Sequence, residues 1–269
     1  MTDEGDSPNG AGRRLSADER AALRRRFAGL RVTDVVDALD AVGYRDRGQY
    51  SGYFDRLQMD RDVRPLFRDD DEFSHRAVGL AHTVRLHPTN GLRKSDRPSR
   101  EASVDDFDDW KRAWYDDVSA APRQRTIRDG DLIVIEAHET DVGYIGSQNM
   151  LGWVAAGAVG VVTNGGCRDT DELLRQGHPV YSKYVTKTNR PGRLETDATN
   201  VPVNVGGTLV RPEDVVVADG DGVAVVPLEL ADDVVDVAED IRSDDQRARE
   251  GYYERLGMEK DGTLERPEG

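Results

Sequence analysis

Cysteine is nearly absent from the chain: Cys167 stands alone among 269 residues. A single thiol excludes an intrachain disulfide framework and any paired-cysteine metal knuckle, so a packed core must hold the fold together. Lysine is almost as scarce, with only five lysines against 32 arginines. No window approaches the roughly 18 consecutive apolar residues of a membrane-spanning helix, and the N-terminus has no apolar signal core. These absences point to a reducing, cytoplasmic setting with no membrane partner. Clustered basic residues are missing as well. With a net charge of −15, the chain is not expected to bind nucleic acid, whose affinity comes mostly from counterion release by Lys and Arg.

What is abundant is aspartate, which outnumbers glutamate 36 to 16. An Asp-rich, Lys-poor surface suits a high-salt interior, where hydrated carboxylates keep a protein soluble and screening over about 3 Å near 1 M salt suppresses their repulsion. A halophilic source is therefore expected in preference to an ordinary acidic mesophilic one. The 37% of hydrophobic residues suffices for one core, so a single domain with extensions is expected.

Residues 1–15 have no hydrophobic period and read as a disordered leader. Ser16 to Glu19 has capping-box spacing, and Ala22, Leu23, Phe27 and Leu30 recur at helical intervals, which predicts a helix to about Gly29. Thr33 is placed to cap a second helix with Val35, Val36, Leu39 and Val42 on its apolar face and Gly43 as its C-cap. Ala77 to Leu86 is strand-like, Asn90 to Arg100 reads as an exposed loop, and Phe107, Trp110, Ala113 and Trp114 share one face of an amphipathic helix. From Ile127 the pattern is regular: a strand at Leu132–Ile135, a glycine-bearing loop at Gly143–Asn149, a helix at Met150–Ala156 and a wholly apolar strand at Ala158–Thr163. A turn at Asn164-Gly165-Gly166 then delivers Cys167, Arg168 and Asp169. A helix over Thr170–Arg175 follows, with strands over Pro179–Tyr184, Val201–Val205 and Leu209–Val210. A hairpin of Val215–Ala218 with Val223–Val226 and a helix from Leu228 to about Arg249 close the fold. The reading is one α/β domain over 16–256 and a frayed tail over 257–269.

Arg168 and Asp169 stand after a buried strand and two glycines, where side chains are held over a crevice at strand carboxyl ends. An Arg can grip a carboxylate through two parallel hydrogen bonds, and a neighbouring carboxylate can hold Mg²⁺, which keeps most of its waters. The same pair also fits a plain ion pair capping the next helix, with Asp169 at its N-terminus. Residue chemistry alone leaves both readings open. Glu136, His138, Glu139 and Asp141 follow a strand and read as a polar strand end, or else as substitute metal ligands. Cys167 reads as a small buried residue, His82 and His178 as structural, and Asp219 to Gly222 as a hairpin turn, since the later ligands of a calcium loop are missing.

The run GSQNMLGWVAAGAVGVVTNGGCRDTDE from Gly146 to Glu172, followed by VPVNVGG and RPEDVVVADGDGVAVVP, resembles the RraA-like family, which includes 4-hydroxy-4-methyl-2-oxoglutarate aldolases. The likeness extends more loosely to VTDVVDALDAVGYR and AVGLAHTVR, so it spans roughly residues 30–240, with 87–125 standing out as an insertion. It implies a swivelling β/β/α-type domain with a central mixed sheet flanked by helices and extra helices at both ends. It also implies a homotrimer or homohexamer with sites between subunits. The activity implied is a Mg²⁺- or Mn²⁺-dependent lyase that cleaves a C–C bond of a small 2-oxo acid through a pyruvate enolate. On that likeness Arg168 binds the oxo acid, Asp169 holds the metal, and Gly146, Ser147, Gln148 and Asn149 receive the substrate carboxylate at a helix start. Two positions depart from the family's aldolases: Ser147 stands for an acidic residue, and Ala198 for a Glu contributed across the interface, where Asp197 or Glu195 would reach in instead. Dehydration or hydrolysis of a sugar-derived 2-keto-3-deoxy acid is a neighbouring alternative. A protein-binding regulator of an RNA-degrading nuclease is the non-enzymatic one. Thermal unfolding measured against KCl tests the high-salt reading: the midpoint should climb steadily toward molar salt, and full stability in dilute buffer would overturn it.

Overall fold

The structure is a computed structural model describing residues 15–47, 56–89, 103–119, 122 and 124–264. The leader up to residue 14 and the expected loop at 90–100 lie outside the described residues. The strands are β1 (Arg64–Pro65), β2 (Ala77–Pro88), β3 (Asp131–Glu136), β4 (Gly143–Ile145), β5 (Gly160–Cys167), β6 (Val180–Val185), β7 (Leu194–Thr199), β8 (Val203–Val205), β9 (Thr208–Val210), β10 (Val215–Asp219) and β11 (Gly222–Val226). The helices are α1 (Ala17–Phe27), α2 (Val32–Arg47), α3 (Val104–Ala113), α4 (Ser147–Ala155), α5 (Thr170–Gln176) and α6 (Ala231–Leu256). The main sheet runs β1-β6-β5-β3-β2-β10-β11, with β4 added to β5 and β7 to β2. Its centre, β2, β3, β5 and β6, is parallel, and β10 and β11 extend it antiparallel. The Met59 N–H donates to Val223 O at 3.0 Å shortly before Arg64 pairs with Ser182. One short segment thus draws the two outer edges together and nearly closes the sheet. This is the expected α/β architecture, with a mixed sheet flanked by helices and helices added at both ends.

Side chains alternate across each strand with period two, and here both faces are buried. Leu132 and Val134 point inward with Val162, Val216 and Val225, while Ile133 and Ile135 pack outward against Met150 and Trp153 of α4. Val215 and Val217 face α1, α2 and α6 instead, meeting Phe27, Leu39 and Val235. Two-sided burial explains why these strands read as continuous apolar runs, each such side chain contributing about 1.5–3 kcal/mol. One polar staple crosses this core. Arg20 of α1 is 3% exposed, bonds to the Asp131 carboxylate and donates to Glu213 Oε2 at 2.6 Å. It fastens the first helix to the start of β3, and His82 Nδ1 lies 3.3 Å from the same Asp131.

Three expectations need correcting, and one strand was not foreseen. The second helix starts at Val32 and continues to Arg47, so Thr33 lies in its first turn and Gly43 within it; the Arg31 N–H is met by Asp34 at 2.8 Å instead. Asn164 to Gly166 does not turn but prolongs β5, with a register shift against β6. The absent side chain there permits close packing, since a Cβ at Gly165 would lie 2.6 Å from that of Ala137. The strand β7, mostly polar after its buried Leu194, was not legible as a strand. Finally, the tail folds back over α6 as far as Leu264, whose carbonyl accepts from Gln246 Nε2 at 3.4 Å, while Tyr253 Oη donates to Asp261 at 2.8 Å.

Asp214 is 2% exposed, and burial raises its carboxyl to about 6 even though the N–H groups of Arg211 and Leu228 donate to it. Because this folded value exceeds the unfolded one, the stability it contributes is complete below about pH 4 and is lost as pH rises through 6. Relative to wild type, Asp214→Asn should gain up to about 3 kcal/mol between pH 4 and 7 in urea titrations. Stability curves that stay parallel over this window would contradict that assignment.

Candidate functional site

β5 ends at Cys167, which is fully buried beside Ser182 Oγ at 3.2 Å, and burial pushes its thiol pKa up. It is a packing residue. Arg168 follows, its N–H donating to Ile145 O of β4 at 2.9 Å. Asp169 then takes a left-handed backbone, φ 57° and ψ 43°, as the first residue before α5. Asp is among the few residues that tolerate this region.

That turn separates the two readings of the pair. The Asp169 side chain makes no capping bond to its own helix; instead Oδ2 accepts the Ser147 N–H at the start of α4, at 3.3 Å. Arg168 Nε lies 3.6 Å from Asp169 Oδ1, a loose contact between groups each about one-third exposed (33% and 34%). The pair is therefore turned toward a pocket. The pocket is about 200 Å³ and is lined by Gly146, Gln148, Asn149, Arg168 and Asp169, together with Gly143, Tyr115, Tyr144, Asn189 and Arg190. The structure thus brings Arg168, Asp169, Gly146, Gln148 and Asn149 together, with Ser147 present through its backbone. Asn149 is fixed by Nδ2 donating to Tyr144 O at 3.1 Å. Gln148 and Asn149 fall in the first turn of α4, where N–H groups have no intrahelical acceptor and the helix dipole favours an anion.

Other candidates lie elsewhere. Asp197 of β7 pairs with Arg85 at 2.7 Å and lies 3.6 Å from His87, while the hydroxyl of Thr89 donates to Glu195. His138 stacks on His87, ring centroids 5.0 Å apart, and Glu139 pairs with Lys183 at 3.1 Å. Among the described residues no group of three or more His, Cys, Asp or Glu could hold a metal ion, and no helix is long and apolar enough to cross a membrane.

Sequence reasoning missed Tyr115, Tyr144, Asn189 and Arg190. Tyr115 follows helix α3, anchored by the buried Trp114, whose Nε1 donates to Leu194 O at 3.0 Å. Its hydroxyl donates to Asn189 Oδ1 at 2.8 Å. The neighbouring tryptophans signalled packing, and nothing in the local pattern marked the tyrosine.

The sequence profile of the RraA-like family (Aldolase/RraA) matches residues 32–225. The chain belongs to the RraA-like family. Among its relatives is a protein of Halalkalibacterium halodurans named as a proposed 4-hydroxy-4-methyl-2-oxoglutarate aldolase, 32% identical over 126 residues that make up 45% of this chain and 57% of the relative. An Arabidopsis thaliana protein with the same proposed activity in its name is 28% identical over 130 residues, covering 45% and 72%. The chain spans a little over half the length of the first of these. Two solved structures share the RraA-like fold. Streptomyces coelicolor RraAS2, described as an unusual member of the RNase ES inhibitor RraA protein family, superposes with a TM-score of 0.63 at 21% identity over 88% of this chain and 98% of that one. An uncharacterized Pseudomonas syringae protein gives 0.63 at 21% over 89% and 94%. At these identities they speak for the fold alone. The left-handed turn at Asp169 is open to test in this RraA-like chain: Asp169→Ala should be about 1 kcal/mol less stable than Asp169→Gly, since only glycine enters this region without steric cost. Equal denaturation midpoints would show that the turn is not kept.

Proposed function

We propose that this chain is a divalent-metal-dependent lyase that cleaves a C–C bond of a small 2-oxo acid, by retro-aldol cleavage or oxaloacetate-type decarboxylation through a pyruvate enolate. One observation carries the reading: the Asp169 carboxylate turns away from the helix it begins and lies beside Arg168 in the pocket. A surface inhibitor has no use for such an arrangement. Family membership and the names of the curated relatives support a lyase.

Asp169 is the only carboxylate among the described residues that line the pocket, and Oδ2 accepts the Ser147 N–H. That donor set fits Mg²⁺ or Mn²⁺, which bind through one or two carboxylates and retain waters, and it does not fit a cage of three protein ligands. Asp169 would hold the ion, which supplies Lewis-acid polarisation of the 2-oxo group when bound. Arg168 would pair with the substrate carboxylate or enolate oxygen, stabilising negative charge as it develops. The first-turn N–H groups of Gln148 and Asn149 would orient the carboxylate. Assembly as a homotrimer or homohexamer belongs to the same proposal, bringing Glu195 or Asp197 of a neighbouring copy toward the pocket.

Pyruvate release from a panel of 2-oxo acids tests this reading. Turnover should vanish with EDTA and return with Mg²⁺ or Mn²⁺, and Arg168→Ala should lower kcat/KM by about 10²–10³. Turnover untouched by chelation would overturn the metal-dependent mechanism.

A further inference from the structure

Three arginines in the described residues are almost wholly buried, and only two have a carboxylate. Arg20, 3% exposed, pairs with Asp131 and Glu213, and Arg242, 8% exposed, lies 3.7 Å from Asp34. Arg190, 5% exposed, has none. Its guanidinium lies between the rings of Tyr115 and Tyr144, 4.5 and 4.6 Å from their centroids, while Nε and Nη1 are buried without a hydrogen-bond partner. Burial lowers its pKa from the ordinary value, the two tyrosines work against that, and Arg168 lowers it further; a guanidinium nonetheless stays protonated. Two aromatic faces ease the burial of a cation but satisfy no N–H donor, and such donors are costly to leave unmet. Arg190 lines the same pocket as Arg168. Two guanidiniums therefore face one carboxylate there, and a divalent ion would add to the positive excess.

We propose that Arg190 determines substrate specificity by receiving the second carboxylate of a dicarboxylic 2-oxo acid, whose first carboxylate sits at Arg168 and the start of α4. The assignment rests on reading the pocket as the 2-oxo acid site. Tyr115, held by its bond to Asn189, and Tyr144, 2% exposed, keep the guanidinium plane fixed so that two N–H groups meet one carboxylate.

Calorimetric titration of the Mg²⁺-loaded protein with pyruvate, 2-oxoglutarate, propionate and succinate tests it. Wild type should bind each dicarboxylate about 10- to 100-fold more tightly than its monocarboxylate counterpart. Arg190→Gln should reduce that ratio to within about twofold while pyruvate affinity holds; Arg190→Lys, which keeps the charge and guards against misfolding of the first variant, should retain an intermediate ratio. No dicarboxylate preference in wild type, or equal loss for both ligand types in the variants, would overturn the assignment. The two ideas fail separately. Succinate preference that depends on Arg190, with no pyruvate released from any 2-oxo acid, would sink the lyase reading and leave the Arg190 subsite standing. Pyruvate release with an unchanged ratio in Arg190→Gln would sink the subsite alone.

Discussion

At Gly146 the first carbon of any side chain would lie 2.7 Å from Asp169 Oδ2, so the carboxylate keeps its place only beside a glycine. On that close approach the rest of the pocket depends. It lets the start of α4 come near enough for the Ser147 N–H to reach the Asp169 carboxylate, which draws that side chain off the end of its own helix. The left-handed backbone at Asp169 aims the carboxylate, and β4 pairing with the end of β5 sets the distance. Arg168 is tied into the same frame through its N–H to Ile145. A glycine, a strained turn and a short strand thus hold two charged side chains over a crevice, while the buried strand beneath supplies the rigidity.

The distribution of charge follows from how the core is closed. Away from the pocket, buried arginines are neutralised by carboxylates, as Arg20 is by Asp131 and Glu213, because an unpaired buried charge would cost several kcal/mol. Those pairs staple helices to the sheet and to one another. At the pocket the rule is relaxed. Arg190 is buried against aromatic faces and left without a counter-charge, and Arg168 meets Asp169 only loosely. Two guanidiniums and one carboxylate among the described residues line this pocket of a chain whose net charge is −15, a local positive excess that suits an anion.

The pocket also joins parts of the chain that are distant in sequence. The family-like segment supplies the α4 start and the Arg168–Asp169 turn. Tyr115 comes from the turn just after α3, fixed by Trp114 against Leu194, and Asn189 and Arg190 come from the connection between β6 and β7. Tyr144 meets Thr196 as well as Arg190. The segment around α3 is therefore part of the pocket wall, and its aromatic residues divide the work: Trp114 packs and Tyr115 lines the pocket.

By itself the sequence determined the α/β class, the buried strands and the Arg168–Asp169 turn. These rest on local signals: period-two apolar runs, capping residues, glycines beside a strand, and a motif long enough to mark the RraA-like family. It could not show that Asn164 to Gly166 stays extended, because glycine is as compatible with close strand packing as with a turn. Nor could it show β7, whose polar residues are paired only by their neighbour β2. The choice between a helix-capping ion pair and a pocket was made by the tertiary structure, since it turns on which helix the Asp169 carboxylate reaches. Arg190 is the clearest case. Its residue type was plain in a chain with 32 arginines, but what distinguishes it is burial between two tyrosines distant in sequence and the lack of a partner. Both are properties of the packed molecule that no local pattern encodes.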